Sequence, residues 1–199
     1  MTCKSVVDSG CHDFNSGKNT FATFEAIVNA YIRDHQNSAQ REAKFFRIQR
    51  TLASAIEKAT FAKEPSGKRH GHQRRIPARI LTKWNSLIQK RIKDLQRCHS
   101  FEELFAIHQQ ERSKIKGIGK LTVYDTAQRI GAHLSLEPAR VYLHAGTKIG
   151  ATALGLGRGC ESIFPDELPK PFQRLRPREI EDCLCIYKEA IKKIARFRN

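Results

Sequence analysis

Apolar residues recur at helical spacing along most of the chain. Phe21, Phe24, Ile27, Val28, Tyr31 and Ile32 fall three and four positions apart, as one buried face of a helix requires. A second helix is expected from about Ala39, with Phe45, Ile48, Leu52 and Ile56 inward. Pro77, whose fixed φ suits a helix start, precedes Ile80, Leu81, Trp84, Leu87, Ile88, Ile92 and Leu95 at the same period. Ser100-Phe101-Glu102-Glu103 is a capping box that opens another helix with Leu104, Phe105 and Ile107 inward. A terminal helix from Pro177 turns Ile180, Leu184, Tyr187, Ile191 and Ile194 inward. No stretch reads convincingly as a strand. The pattern therefore predicts an all-α protein, a compact bundle of about seven or eight helices, with residues 20–199 as a single domain. Residues 1–19 show neither period and read as a loose N-terminal arm.

Two stretches interrupt the helical pattern. Residues 61–80, FAKEPSGKRHGHQRRIPARI, form an irregular loop punctuated by Pro65, Gly67, Gly71 and Pro77. After Leu134, Glu137 and Pro138 predict a helix start, and Gly146, Gly150, Gly155, Gly157 and Gly159 crowd one span. That crowding predicts close helix packing or a mobile loop. The GLGRG run is not a phosphate loop, because no Gly-Lys-Ser/Thr ends it and no strand precedes it. A Pro-rich connection follows from Pro165 to Pro177.

Charge narrows the partner. The chain of 199 residues carries a formal net charge of +16, and such an excess favours a polyanion. Residues 63–99 contribute +9 and residues 170–199 contribute +5, so two segments hold nearly all of it. Arg69, His72, Gln73, Arg74 and Arg75 in the basic loop are candidates to neutralise phosphates or to hydrogen-bond bases. The six cysteines include no CxxC pair, which predicts free thiols in a reducing cytoplasm. Cys3, Cys11 and His12 match no zinc spacing, so no metal site is expected. No apolar run approaches membrane-spanning length.

The central stretch is SKIKGIGKLTVYDTAQRIGAHL, residues 113–134. Two glycines flank one aliphatic residue between two apolar-periodic segments, which describes two helices joined by a tight hairpin. Glycine takes φ > 0 cheaply and lets a ligand approach bare backbone. The amides of such a turn, and those opening the next helix, are suited to an anion. Lys116, Gly117, Ile118, Gly119, Lys120 and Thr122 are the candidate contact residues, with Lys114 nearby.

IKGIGKLT resembles the hairpin of the helix-hairpin-helix DNA-binding superfamily. The resemblance implies that hairpin amides hold a DNA phosphate without reading sequence, with a monovalent cation on hairpin carbonyls and no other cofactor. Within that superfamily, the segment Val141-Tyr142-Leu143-His144-Ala145-Gly146-Thr147 is similar to the Val-Asp-Thr-His-type stretch of endonuclease III-like DNA glycosylases. Two departures stand out: Tyr142 occupies the place of the family's catalytic Asp, and Leu121 the place of its nucleophilic Lys, with Lys120 one residue early. The resemblance thus implies a monofunctional enzyme excising a damaged or modified base, provided another acid serves.

The candidate acids are Asp125 on the second hairpin helix and the cluster Glu179, Glu181 and Asp182, of which Asp125 and Asp182 are preferred as catalytic. A carboxylate is required because cleaving an N-glycosidic bond builds oxocarbenium-like charge that it stabilises, or because it activates water. Tyr124, Tyr142 and His144 are candidates to line a pocket for an extruded base. The same residues also allow a non-catalytic DNA-binding module, or a basic helical adaptor for an acidic protein or RNA.

Overall fold

The structure, a computed structural model, describes residues 21–196; the arm expected at 1–19 lies outside the described residues, as do Cys3, Cys11 and His12. The described chain is all-α apart from one two-stranded ribbon.

The first helices differ in their breaks from the periodic reading. Thr23 Oγ1 accepts from the Ala26 amide at 3.1 Å and starts α1 (Phe24–Tyr31). α1 runs without interruption through a widened turn, Ile32–Gln36, into α2 (Asn37–Arg47). The chain then bends, and Thr51 caps a separate helix, α3 (Leu52–Thr60), by accepting from the Ser54 amide. Phe45, Ile48, Leu52 and Ile56 therefore do not share a helix. Ile48 sits in the bend at 65% exposure, while Leu52 and Ile56 reach the core from the new element.

α4 (Ala78–Gln89) and α5 (Ile92–Leu95) follow, broken at Lys90-Arg91. The capping box holds: Ser100 Oγ accepts from the Glu103 amide at 3.2 Å, and Glu103 accepts from the His99 amide at 2.8 Å. It opens α6 (Phe101–Arg112), which the hairpin joins to α7 (Lys120–Leu134). The helix expected at Glu137 is absent. Val141–Tyr142 (β1) instead pairs antiparallel with Ser162–Ile163 (β2), and α8 (Ala145–Ala153) lies between them in sequence. The chain ends in α9 (Pro177–Ile186) and α10 (Lys188–Arg196).

Two apolar cores result. Phe46, Leu52, Ile56, Leu81, Trp84, Leu104, Tyr124 and Ile130 build the first, around α7. Phe24, Ile27, Tyr31, Val141, Phe172, Ile180, Leu184 and Ile191 build the second, around α1, α8 and α9. Each fully buried Leu, Ile or Phe contributes about 1.5–3 kcal/mol. α1 belongs to the second core and α2 packs on α7 of the first, so the widened turn between them bridges the two. Gly150 explains part of the glycine cluster: a Cβ there would stand 2.5 Å from the Leu184 carbonyl, so its absence lets α8 lie directly on α9.

Candidate nucleic-acid interface

The hairpin is built from opposite demands on three adjacent residues. Gly117 has φ +95°, which only glycine adopts without strain. Ile118 turns its side chain into the first core and is 3% exposed. Gly119, extended at φ −80° and ψ 163°, is the N-cap of α7 and offers no side chain to its first-turn amides. The two glycines are exposed and the isoleucine is pinned. From α6, Arg112 Nε donates to the Ile118 carbonyl at 2.9 Å and fixes the turn. A guanidinium thus already stands on a hairpin carbonyl that the monovalent cation implied by the resemblance would share.

The lysines divide their duties. Lys114, with Arg91, pairs with the buried Glu111. Burial alone would raise that carboxyl, but hydrogen bonds from Lys114 and Arg91 outweigh it and hold it below the usual range. Lys120 reaches across to Glu161 at 2.9 Å. Lys116 is exposed and has no ion pair among the described residues. Thr122 is 8% exposed, so it supports the first turn of α7 more than it faces solvent.

Beside the hairpin lies a cavity of about 260 Å³. Arg112, Lys120, Tyr142, His144, Lys148 and Glu161 line it, over a floor that includes Phe105 and Val123. The ribbon positions its wall: Tyr142 pairs with Ser162, and the Leu143 amide donates to the Glu161 carbonyl at 2.8 Å. His144 is then the N-cap of α8. Its Nε2 is buried without a hydrogen-bond partner, and burial lowers its pKa, with Asp125 opposing, which favours the neutral ring. Of the three candidate pocket residues, Tyr142 and His144 line this cavity. Tyr124 does not line it: fully buried, it packs behind the wall, its ring centroid 5.1 Å from that of Tyr142 and 4.6 Å from that of His144.

The basic loop is more ordered than its composition suggests. A bridge between Lys63 and Arg69 and a short turn at Gly71–Gln73 fold it onto the body. Arg69 is partly spent on the Ile76 carbonyl (3.0 Å) and Arg74, though exposed, on the Arg69 carbonyl (3.1 Å), while Arg75 is exposed. For His72 the backbone alone is described. Gln73 is not a base reader on the surface: 1% exposed, it donates to Asp125 Oδ2 and accepts from Arg129, both at 2.9 Å.

That glutamine belongs to a polar seam that sequence reasoning missed. Arg129, 4% exposed, also donates to Glu42 (3.1 Å), which accepts from Arg178 (2.9 Å) and faces His70 (3.3 Å). Burial would raise Glu42, yet His70 and the two guanidiniums hold it far below the ordinary carboxylate range. The preferred acids meet at this seam. Asp182 accepts from the Tyr31 hydroxyl at 3.2 Å, and burial, opposed by Arg178, pushes it up to about 6. Glu181 accepts from Thr147 and is raised well above its usual value by burial, then by Asp182 and Asp125. Glu179 is a cap, accepting from the Arg176 amide at 3.0 Å. Neither Asp125 nor Asp182 lines the cavity beside the hairpin; Glu161 does.

Comparison of the chain with protein-family models, with curated proteins and with solved structures finds no match. Among the described residues, no helix is long and apolar enough to cross a membrane, and no group of three or more His, Cys, Asp or Glu is placed to hold a metal ion. Among the described residues, Cys98, Cys160 and Cys183 form no disulfide.

Proposed function

We propose that the protein binds DNA through the hairpin at 113–134 and excises a damaged or modified base extruded into the adjoining cavity, as a monofunctional glycosylase would. One observation carries this reading: Lys120 belongs at once to the first turn of the hairpin helix and to the wall of a cavity of about 260 Å³. A phosphate held at the hairpin would place the neighbouring nucleotide against Tyr142 and His144, which offer a ring face and a neutral imidazole. Arg74 and Arg75 in the basic loop, with the lysines of α10, supply sequence-independent attraction. The cysteine pattern fits a reducing cytoplasm.

The test has two stages. Affinity for a short duplex is measured against salt, where a linear fall of log K with log salt is expected. Duplexes carrying assorted modified bases are then incubated with the protein and cleaved at abasic sites; no cleavage from any of them removes the enzymatic part. A second reading, a non-catalytic DNA-binding module, is favoured by the place of Asp125 and Asp182 in the polar seam rather than on the cavity. It expects salt-sensitive binding without product.

A further inference from the structure

We propose that Glu161 is the catalytic carboxylate of the cavity, held out of action by Lys120 until a nucleic-acid phosphate takes that lysine. The inference rests on the base-excision reading and supplies the acid that Tyr142 does not. Glu161 is the one carboxylate among the described residues lining the cavity. Its backbone is fixed there by the bond from the Leu143 amide, one residue before His144. Its side chain is engaged by Lys120 Nζ at 2.9 Å.

That commitment is weak by construction. The two side chains are 73% and 77% exposed, and exposed pairs of this kind contribute little. A phosphate at the hairpin competes with a carboxylate for the same ammonium, and it gains the uncapped first-turn amides of α7 as well. Lys148, on the same wall, has no ion pair among the described residues and adds to the attraction. While latched, the hydrogen bond from Lys120 keeps the Glu161 carboxyl below its usual range and makes it a poor proton acceptor. Release restores its ordinary basicity.

The chemistry balances with water alone. The oxygen of a water bonds to the sugar C1′, and the C1′–N bond breaks with its electron pair going to the base. The water's proton passes to Glu161 and from there to the departing base nitrogen. The net change is the addition of one water across the glycosidic bond.

The experiment compares wild type, Glu161→Gln, Lys120→Gln and the double variant. Binding is measured on a duplex containing a stable abasic-site analogue, and turnover on a duplex that the wild type excises. Both sites are surface positions, so all variants should fold. Glu161→Gln is expected to lower base release about 100-fold or more, in the range of general-base catalysis, while binding the duplex severalfold more tightly. The tightening should vanish in the Lys120→Gln background. Wild-type turnover by Glu161→Gln overturns the proposal and leaves base excision standing. Equal tightening with and without Lys120 also overturns it, because the effect is then general charge repulsion. A wild type that excises no base from any duplex sinks the base-excision reading and this one with it.

Discussion

Arg112 Nε donates to the carbonyl of Ile118 at 2.9 Å, tying the end of one hairpin helix to the turn it leads into. Ile118 is held at both ends, its side chain by the first core and its carbonyl by a guanidinium. The positive charge that a bound monovalent cation would supply is therefore already covalently present. Duplex affinity is expected to be the same in potassium and in tetramethylammonium chloride at equal ionic strength. A marked preference for potassium would show that the hairpin carbonyls recruit an ion despite Arg112. Arg112→Met should weaken binding in both salts.

The two hairpin glycines separate stability from binding. Gly117, at φ +95°, cannot become alanine without strain of about 1–2 kcal/mol, and the added Cβ would touch Ile80 at 3.4 Å. Gly117→Ala should lower the midpoint of urea unfolding and weaken DNA binding together. Gly119 has an ordinary φ, and a Cβ added there would meet nothing within 4 Å. Gly119→Ala should leave the midpoint unchanged within error yet still reduce affinity, because the methyl group stands where phosphate approaches. Equal affinity for Gly119→Ala and wild type would show that the phosphate does not sit there.

Which features are legible in the sequence follows from how far apart their partners lie. Ser100 and Glu103 announce a helix start because a capping box is closed within four residues. Gly117 and Gly119 are readable for the same reason. The spacing of Phe45, Ile48, Leu52 and Ile56 misleads because the three-and-four rhythm runs on across a break, and Thr51 gives the cap that the rhythm hides. A ribbon of two residues per strand has no period to detect. The seam and the cavity are least accessible: Gln73 meets Asp125 from 52 residues away, and Lys120 meets Glu161 from 41. Charge counting assigns Gln73 and its neighbours to solvent, whereas the fold buries Gln73 as the bridge between Asp125 and Arg129.

The seam has a mechanical consequence. Arg129 is 4% exposed and satisfies both Glu42 and Gln73. Its replacement by Met leaves Glu42, 22% exposed and still facing Arg178 and His70, short of one cation, a loss below the about 3–5 kcal/mol of a fully buried pair broken from one side. Arg129→Met should therefore unfold at markedly lower urea. Adding Glu42→Gln should recover part of the loss, since it removes the charge left behind. A double variant no better than the sum of the single ones would mean that the two residues act independently.

Asp182 and His108 give the protein two opposed responses to acid in one pH window. Burial raises Asp182 from 3.8 to about 6. The folded state therefore holds this proton more tightly than the unfolded chain, and its stabilising contribution is complete below about pH 4 and lost as pH rises through 6. Burial lowers His108 from 6.5 to about 4, its Nδ1 donating to the Leu104 carbonyl at 2.7 Å. That contribution is complete above pH 6.5 and lost as pH falls through 4. Asp182→Asn should gain on wild type as pH rises from 4 to 6, by about 3 kcal/mol at most. His108→Leu should gain on wild type as pH falls over the same range. Urea unfolding at several pH values reads both slopes, and a difference between Asp182→Asn and wild type that does not change with pH would show that Asp182 titrates alike in the folded and unfolded chains.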